Sequence, residues 1–293
     1  MGKIALVTNL DYRHKFWAYS LHKLFDVDLI IHPNNKSKNI KKKIFESNNY
    51  FIIFLKLLSV IHNIFNKKSL NNRLKYYDEK YFKSYDKEYK KIDKKIIFHV
   101  DSVNNQNTVE LIKSHNIKTI CFLGGEIVKK QFFNQLDVTF LNFHSGLSPF
   151  YNGHKSVFHA CCDYRPNFSG GTIMKMNERI DGGNILGHYI TPITENDNSY
   201  DLFCKGIIGS ISLYETVLND LENFNKVNII QNRSFKFTKN SDWTILNDIK
   251  LSNFNNSLKI KIYKRSEKII FYNYGDSLKT VYSSILSNIL SKN

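Results

Sequence analysis

Short apolar runs rich in β-branched residues recur along the first half of the chain and predict buried strands. Between them lie stretches with helical periodicity, such as His14–Phe25. Alternating strands and helices are typical of βαβ units and of a parallel sheet. The predicted parallel strands are Lys3–Thr8, Val27–His32, Lys95–Val100, Thr119–Leu123 and Val138–Phe143. We therefore expect the α/β class, with a doubly wound, mostly parallel sheet that binds its ligand at the carboxyl ends of the strands.

The pattern changes in the second half of the chain. The segment 171–189 predicts a strand, a turn and a second strand, and Ser199–Phe224 predicts a long helix. Short apolar runs separated by Asn and Ser follow over 227–273 and predict strands, and Leu278–Leu290 predicts a final helix. We expect a domain at 1–225 and a smaller strand and hairpin region at 226–293.

The charge of the chain is strongly positive and concentrated. Of the formal +16, a balance of +11 lies in 36–95, which holds seventeen Lys or Arg against six acids. This segment is interpreted either as a solvated insertion or as a surface for nucleic acid, anionic lipid or a phosphorylated small molecule. Within it, Phe51–Phe65 is amphipathic, and its apolar face would pack on the sheet or rest on a membrane surface.

Several protein classes are not favoured by the sequence. The first 33 residues carry charges throughout, unlike a signal peptide, and the most apolar run, Tyr50–Phe65, is too short and polar to cross a bilayer. The four cysteines form no CxxC pair, and no HExxH motif is present. We expect a cytoplasmic protein without disulfides, a catalytic metal or a membrane span.

Candidate chemistry lies where the glycines cluster. Nine of the thirteen glycines fall between Gly124 and Gly187, a density that fits a ligand site. Asn142 and His144 are two apart at the end of a predicted strand, so their side chains share one face. Asp181 follows in a glycine-rich loop. An amide, an imidazole and a carboxylate suit acyl transfer, in which an oxyanion develops.

These residues resemble a known family, the folate-dependent formyltransferases. The family pattern, Asn-x-His-x-Ser-Leu-Leu-Pro-x-x-x-Gly followed by a Gly-Thr strand and an Asp-x-Gly loop, is similar to Asn142–Gly153, Gly171–Ile173 and Ile180–Gly183. Two positions depart from it: Gly146 stands where the family prefers serine and Ser148 where it prefers leucine. The resemblance implies a Rossmann-like core and N10-formyltetrahydrofolate as the co-substrate.

The resemblance also implies roles for individual residues. Asn142 and protonated His144 would stabilise the oxyanion formed when an amine attacks the formyl carbon, and Asp181 would favour the protonated imidazole. The folate would be held mostly by backbone groups. The implied folate-binding residues are Gly124, Gly125, Glu126, Val128, Met176, Arg179 and Asp181.

The amine that accepts the formyl group stays open among three classes. Methionyl-tRNA formyltransferases end in a barrel for which the tail 227–293 is short, and glycinamide formyltransferases lack both the basic segment and the tail. Nucleotide-sugar N-formyltransferases fit best, which implies an amino-sugar nucleotide such as a dTDP-amino-dideoxyhexose, a place in surface polysaccharide (O-antigen or lipopolysaccharide) biosynthesis, a homodimer and no nucleic-acid partner. Another amine, or a non-catalytic folate- or nucleotide-binding role, is the alternative. Candidate anion contacts are Arg13, Lys155 and Arg165.

Overall fold

A computed structural model describes residues 2–34, 50–65 and 70–290. Residues 35–49 and 66–69 of the predicted basic insertion therefore lie outside the described residues. The strands are β1 (Ile4–Thr8), β2 (Leu29–Pro33), β3 (Ile97–Val100), β4 (Thr119–Leu123), β5 (Thr139–His144), β6 (Tyr151–Gly153), β7 (Gly170–Lys175), β8 (Asn184–Ile190), β9 (Lys236–Thr238) and β10 (Lys268–Phe271).

Eight of these strands form one mixed sheet in the order β10-β8-β7-β5-β4-β1-β2-β3. Strands β5, β4, β1, β2 and β3 are parallel, which confirms the five predicted strands and the α/β class. Strands β7, β8 and β10 continue the sheet in antiparallel fashion from β5. The chain winds outward from β1 in both directions, so the crevice at the carboxyl ends of β1 and β4 is the expected place for a ligand.

Both faces of the sheet are covered because its strands are apolar on both sides. In β1, Ile4 and Leu6 join one core, whereas Ala5 and Val7 join the other. The α-helices cover Tyr12–Phe25, Tyr50–Phe65, Leu70–Phe82, Asp86–Tyr89, Gln106–Ser114, Lys130–Asn134, Ser156–Cys162, Ser199–Asn219, Leu221–Lys226, Ile245–Asn256 and Leu278–Leu290. The predicted long helix 199–224 thus ends at Asn219, and a separate short helix follows. Among the described residues no helix is long and apolar enough to cross a bilayer.

The strand-rich character predicted for 226–293 is wrong. Within 226–290, the part of this region that the structure describes, the strands are β9 and β10 and much of the rest is helical. The helix Ile245–Asn256 begins where Thr244 N donates to Asn247 Oδ1 at 3.0 Å, and it buries Leu251 and Phe254, three residues apart. Strand β10 pairs with β8 of the main sheet. Capping and burial of the helix therefore outweighed the local preference of the short apolar runs for strands. The division of the chain into two regions near residue 225 stays a prediction.

Candidate active site

The end of β5 presents Asn142 and His144 from a rigid position inside the sheet. Asn142 pairs with Phe122 of β4 on one side and with Met174 of β7 on the other, and His144 pairs with Thr172. The side chains of both residues lie on the same face of β5, as their spacing of two positions predicts. The site therefore begins at the carboxyl edge of the sheet.

His144 contacts Asp181, although the two are 37 positions apart in the chain. Nδ1 of His144 lies 3.2 Å from Oδ2 of Asp181, and the two side chains are only 6% and 12% exposed. Gly153 N donates to the same carboxylate oxygen at 2.9 Å. The loop that carries Asp181 adopts a left-handed conformation at this residue, with φ 49°. The structure thus brings together two of the three predicted catalytic side chains.

The His144 ring meets an acceptor at each of its two nitrogens. Nε2 of His144 lies 2.9 Å from the carbonyl oxygen of Tyr151, and Nδ1 faces the carboxylate of Asp181. A carbonyl oxygen and a carboxylate both accept hydrogen bonds from an imidazole N–H. The two contacts therefore fix the orientation of the ring at the carboxyl end of β5.

The Asn142 side chain is half-buried, and it forms no hydrogen bond with the described part of the protein. Within the described part of the chain its amide makes no hydrogen bond, whereas Asn152 nearby donates to two acceptors. An amide at a strand end that is not engaged by the protein has its donor available for a ligand. This is the property required of an oxyanion donor.

Thr172 fixes the turn that follows His144. Its hydroxyl donates to Gly146 O at 2.6 Å and accepts from Ser148 N at 2.9 Å. Gly171 beside it leaves room for Phe143, because an added Cβ would lie 2.0 Å from that ring. The Gly-Thr pair noted in the sequence therefore supports the site from the neighbouring strand.

The predicted folate-contacting loop follows β4. Gly124 and Gly125 have φ of 70° and 95°, values that glycine adopts without strain. An added Cβ on Gly125 would meet no atom within 4 Å, so the backbone there borders open space. The Glu126 side chain points elsewhere: it accepts from Ser102 Oγ and, at 2.6 Å, from Asn104 Nδ2.

The remaining predicted folate contacts have structural roles of their own. Val128 is buried in one of the two cores, and Met176 packs against the same core. Arg179 donates to Gln231 O at 2.8 Å and to Gly182 O at 3.3 Å, so its guanidinium fastens the Asp181 loop to the chain after residue 226. Some backbone groups of these positions are engaged as well, since Met176 N donates to Phe140 O at 2.9 Å and Arg179 N donates to Asn177 Oδ1 at 2.9 Å. Their assignment to folate binding stays a prediction.

The three predicted anion contacts are placed in different surroundings. Arg13 lines a cavity of about 580 Å³ next to the end of β1, where its guanidinium meets Asp78 at 3.2 Å and Asp11 at 3.0 Å. Lys155 lies 4.9 Å from the centre of the Trp243 ring, and Arg165 lies 5.7 Å from that of Phe235. Lys155 and Arg165 do not line the cavity. The structure does not gather the three cations into one cluster.

His14 is a site residue that the sequence analysis missed. It is buried behind Gly124, where an added glycine Cβ would lie 3.0 Å from its Nε2. Burial lowers the pKa of His14 to about 4, so the ring is neutral at pH 7. Hydrogen bonding with His14 is the main cause that lowers the pKa of Asp11 to about 2. Nothing in the sequence separates His14 from the other helical residues around it.

Asn152 and Gln231 form a second set of missed residues, an amide pair that holds the Asp181 loop. Asn152 Nδ2 donates to Asp181 O at 2.9 Å and to Gln231 Oε1 at 3.1 Å. Gln231 Nε2 donates to Gly183 O at 2.8 Å. Both side chains are buried. Asn152 lies on strand β6 and Gln231 lies about 80 residues later in the chain. The sequence around either residue therefore does not predict that the two side chains meet.

Replacing Gln231 by leucine is expected to lower both stability and turnover. Gln231→Leu removes one partner of Asn152 and one of Gly183, at a cost of about 1–3 kcal/mol for buried groups left unpaired. A looser Asp181 loop is expected to reduce kcat about tenfold, because catalytic groups lose their alignment. Asn228→Ala, which removes an exposed bond from the same segment, is the matched control. Equal kcat in Gln231→Leu and the wild type contradicts the positioning role.

Gly146 has a steric reason to depart from the family's serine. An added Cβ would lie 2.5 Å from His144 Nε2 and 2.6 Å from both Tyr151 O and Ser156 Cβ. The absence of a side chain thus makes room for the bond between His144 and Tyr151. The departure seen in the sequence is part of how this chain orients the ring.

Gly146→Ser is therefore expected to displace the imidazole. We expect kcat to fall at least tenfold and the stability by about 1–3 kcal/mol, the usual cost of overpacking. Steady-state kinetics and thermal unfolding measure the two effects. The control is Gly206→Ala, where an added Cβ would lie 3.5 Å from its nearest neighbour, an ordinary contact, and its kcat should equal the wild-type value. A Gly146→Ser variant with wild-type kcat would refute the steric explanation.

No metal site accompanies these groups in the part of the chain that the structure describes. Its His, Cys, Asp and Glu side chains form no group of three that is placed to hold an ion.

Comparison with known proteins places this arrangement in a family. The sequence profile described as formyl transferase matches residues 54–206. Methionyl-tRNA formyltransferase of Borrelia duttonii is 29% identical over 177 residues, which cover 59% of this chain and 56% of that protein. The enzyme of the same name from Listeria monocytogenes is 36% identical over 78 residues, 26% of this chain and 25% of that protein. The matched region thus spans about half, or less, of these relatives.

Solved structures share the fold. A sugar N-formyltransferase from a Shewanella species has a TM-score of 0.51 at 16% identity, covering 94% of this chain and 99% of that one. A 4-N formyltransferase from Francisella tularensis has a TM-score of 0.52 at 16% identity, covering 85% and 86%. The family profile covers more than half of the chain and includes Asn142, His144 and Asp181. The chain belongs to the formyl transferase family.

Proposed function

We propose that the protein transfers the formyl group of N10-formyltetrahydrofolate to the amine of an amino-sugar nucleotide, such as a dTDP-amino-dideoxyhexose, for surface polysaccharide biosynthesis. One observation carries the reaction: the buried contact between His144 and Asp181 lies beside Asn142, whose amide has no described protein partner. The likeness in fold to the Shewanella sugar N-formyltransferase, which spans nearly all of both chains, supports the substrate class.

The side chains support a balanced transfer. The amine nitrogen first bonds to the formyl carbon, whose C=O becomes C–O⁻, and the C=O then forms again as the bond from that carbon to N10 of the folate breaks. One proton leaves the attacking nitrogen and one arrives at N10. Asn142 and the His144 imidazolium stabilise the oxygen that becomes negative between these two events. Asp181, in contact with the ring, holds the imidazolium in place and lies next to the path of the proton.

The Gly124–Gly125 loop fits a folate. Both glycines adopt positive φ, and the open space beside Gly125 leaves backbone donors and acceptors accessible to a flat polar ring. The loop follows β4, which pairs with β5, so a pterin bound there would direct its formyl group toward Asn142.

Gly125→Val is expected to weaken folate binding by at least tenfold, because a branched side chain occupies the open space and strains a positive-φ position. Fluorescence titration with 5-formyltetrahydrofolate, a stable analogue of the donor, measures this change. Binding of dTDP, measured calorimetrically, should stay within twofold. Equal weakening of both ligands would contradict the assignment of this loop to the folate.

The cavity that Arg13 lines is the proposed place for the nucleotide part of the substrate. It lies next to the end of β1, and β1 pairs with β4, which in turn pairs with β5. Four cations, Arg13, Lys15, Lys75 and Lys90, and three acids line it. Lys15 and Lys90 contact Asp86, and Arg13 contacts Asp78, a carboxyl whose pKa is raised by burial. A diphosphate entering the cavity would compete with these carboxylates for the cations.

Methionyl-tRNA is the second candidate substrate, because the curated relatives matched by sequence are methionyl-tRNA formyltransferases. The test offers the purified chain N10-formyltetrahydrofolate with a panel of amino-sugar nucleotides or with methionyl-tRNA, and it reads by mass whether one hydrogen has been replaced by a formyl group. A formylated sugar is the expected product. If only methionyl-tRNA were formylated, methionyl-tRNA would replace the amino-sugar nucleotide as the assigned substrate. Folate binding without any product would favour a non-catalytic role.

We propose that the enzyme is a homodimer, because the resemblance to the nucleotide-sugar N-formyltransferases implies one. Light scattering at several protein concentrations measures the mass in solution. A monomeric mass at all concentrations would refute the dimer without affecting the proposed reaction.

A further inference from the structure

The helix Tyr50–Phe65 exposes a continuous row of large apolar side chains. Tyr50 is 88% exposed, Phe54 54%, Leu57 43% and Ile61 53%. Their spacing of four, three and four positions places them on one face of the helix. The sequence analysis left two uses for the apolar residues of this segment, packing on the sheet or contact with a membrane surface. The structure turns these four toward solvent.

The adjoining helix adds to this exposed apolar surface. The helix Ile245–Asn256 packs against Tyr50–Phe65. It exposes Leu246 and Ile249 at 47% and 49%. Two packed helices that both leave large aliphatic side chains in water are typical of an interaction surface rather than of isolated exposed residues.

The charge of the surrounding chain indicates the partner. Between Lys36 and Ser69 the sequence holds eight lysines and one acid. On the next helix, Arg73 and Lys75 are exposed. Apolar residues on one face of a helix, in a lysine-rich part of the sequence and next to a helix that exposes two cations, match the two components of binding to an anionic bilayer, which are burial of apolar area and attraction to headgroups.

We propose that the face formed by Tyr50, Phe54, Leu57 and Ile61 lies in the headgroup region of an anionic lipid bilayer. The helix has 16 residues and would be about 24 Å long at 1.5 Å per residue, so it lies along the surface rather than across the bilayer. The alternative occupant is the same face of a second copy of the chain. Such a dimer would bring two copies of this lysine-rich sequence together, and the repulsion between like charges disfavours it. The enzyme would thereby be held at a membrane surface.

The test is flotation of the full chain with vesicles of phosphatidylcholine, either alone or mixed with phosphatidylglycerol. The wild type should float with the mixed vesicles at low salt and much less with phosphatidylcholine alone. Added salt should weaken flotation, because it screens the attraction. The double variant Phe54→Ser with Leu57→Ser should partition at least tenfold less, since two apolar side chains no longer enter the bilayer.

The matched control is Tyr274→Ser, which removes an 81% exposed aromatic side chain elsewhere on the surface and should float like the wild type. Flotation of the double variant equal to the wild type overturns the proposal, and so does a wild type that stays with the unbound protein at low salt. Concentration-dependent self-association that the double variant abolishes, without flotation of the wild type, would assign the face to a second copy and overturn the proposal. Formyl transfer in solution does not depend on any of these outcomes.

Discussion

His144→Ala is expected to reduce kcat for formyl transfer by about 10³-fold. The substitution removes the imidazolium next to the developing oxyanion, an effect of about 10²–10³ for one donor, and it removes a participant in proton movement. It also removes the ring that contacts the Asp181 carboxylate, which is 12% exposed in the wild type. Single-turnover measurements with saturating N10-formyltetrahydrofolate isolate the chemical step from product release.

His144→Gln separates charge from shape in this experiment. A glutamine amide can donate to Tyr151 O but carries no charge, so its kcat should remain within a few-fold of that of the alanine variant. His99→Ala, at an exposed position on β3, is the control and should retain wild-type kcat. All three variants should bind the nucleotide-sugar as the wild type does. Near-normal turnover by His144→Ala would refute the proposed formyltransferase mechanism.

Asn142→Asp is expected to be more damaging than Asn142→Ala. Alanine removes one donor to the oxyanion and should lower kcat about 10²-fold. Aspartate has nearly the same shape but replaces the donor by a negative charge beside the position where negative charge develops, so the loss should exceed 10³-fold. The order of the two variants is the diagnostic feature of an oxyanion donor.

A structural role for Asn142 predicts the opposite order. If the side chain served only to fill space, the nearly isosteric aspartate would be the milder change. The two kcat values, measured with the thermal unfolding midpoints, decide between these roles. Asn134→Asp adds the same charge at an exposed position and should leave kcat unchanged.

Much of the sheet could be predicted because its signals are local. The strands β1 to β5 are short apolar runs between polar ends, and their alternation with helices leads to a parallel sheet. The strand 27–32 and the observed Leu29–Pro33 agree to within two residues. The prediction for 226–293 failed because Leu251 and Phe254 lie on a helix that packs against Ser156–Cys162 and Tyr50–Phe65, two segments that the local pattern of 226–293 does not contain.

The site divides in the same way between local and long-range signals. Asn142 and His144 share a face because the side-chain period of a strand is two, a property of the strand itself. The contact between His144 and Asp181 joins the end of β5 to the loop between β7 and β8, which lies 37 positions later in the chain. The assignment of the folate-loop residues stays a prediction from resemblance, and the hydrogen bonds of Glu126 with Ser102 and Asn104 depend on the folded structure.

By itself, the sequence determined the α/β class, the strands of the parallel sheet and the adjacency of Asn142 and His144, because each depends on residues close together in the chain. Tertiary structure alone decided the ring orientation at His144, the room that Gly146 leaves for it, and the hold of Asn152 and Gln231 on the Asp181 loop. These features join segments up to about 80 residues apart. Their geometry depends on how the folded chain packs, which no local pattern of residues encodes.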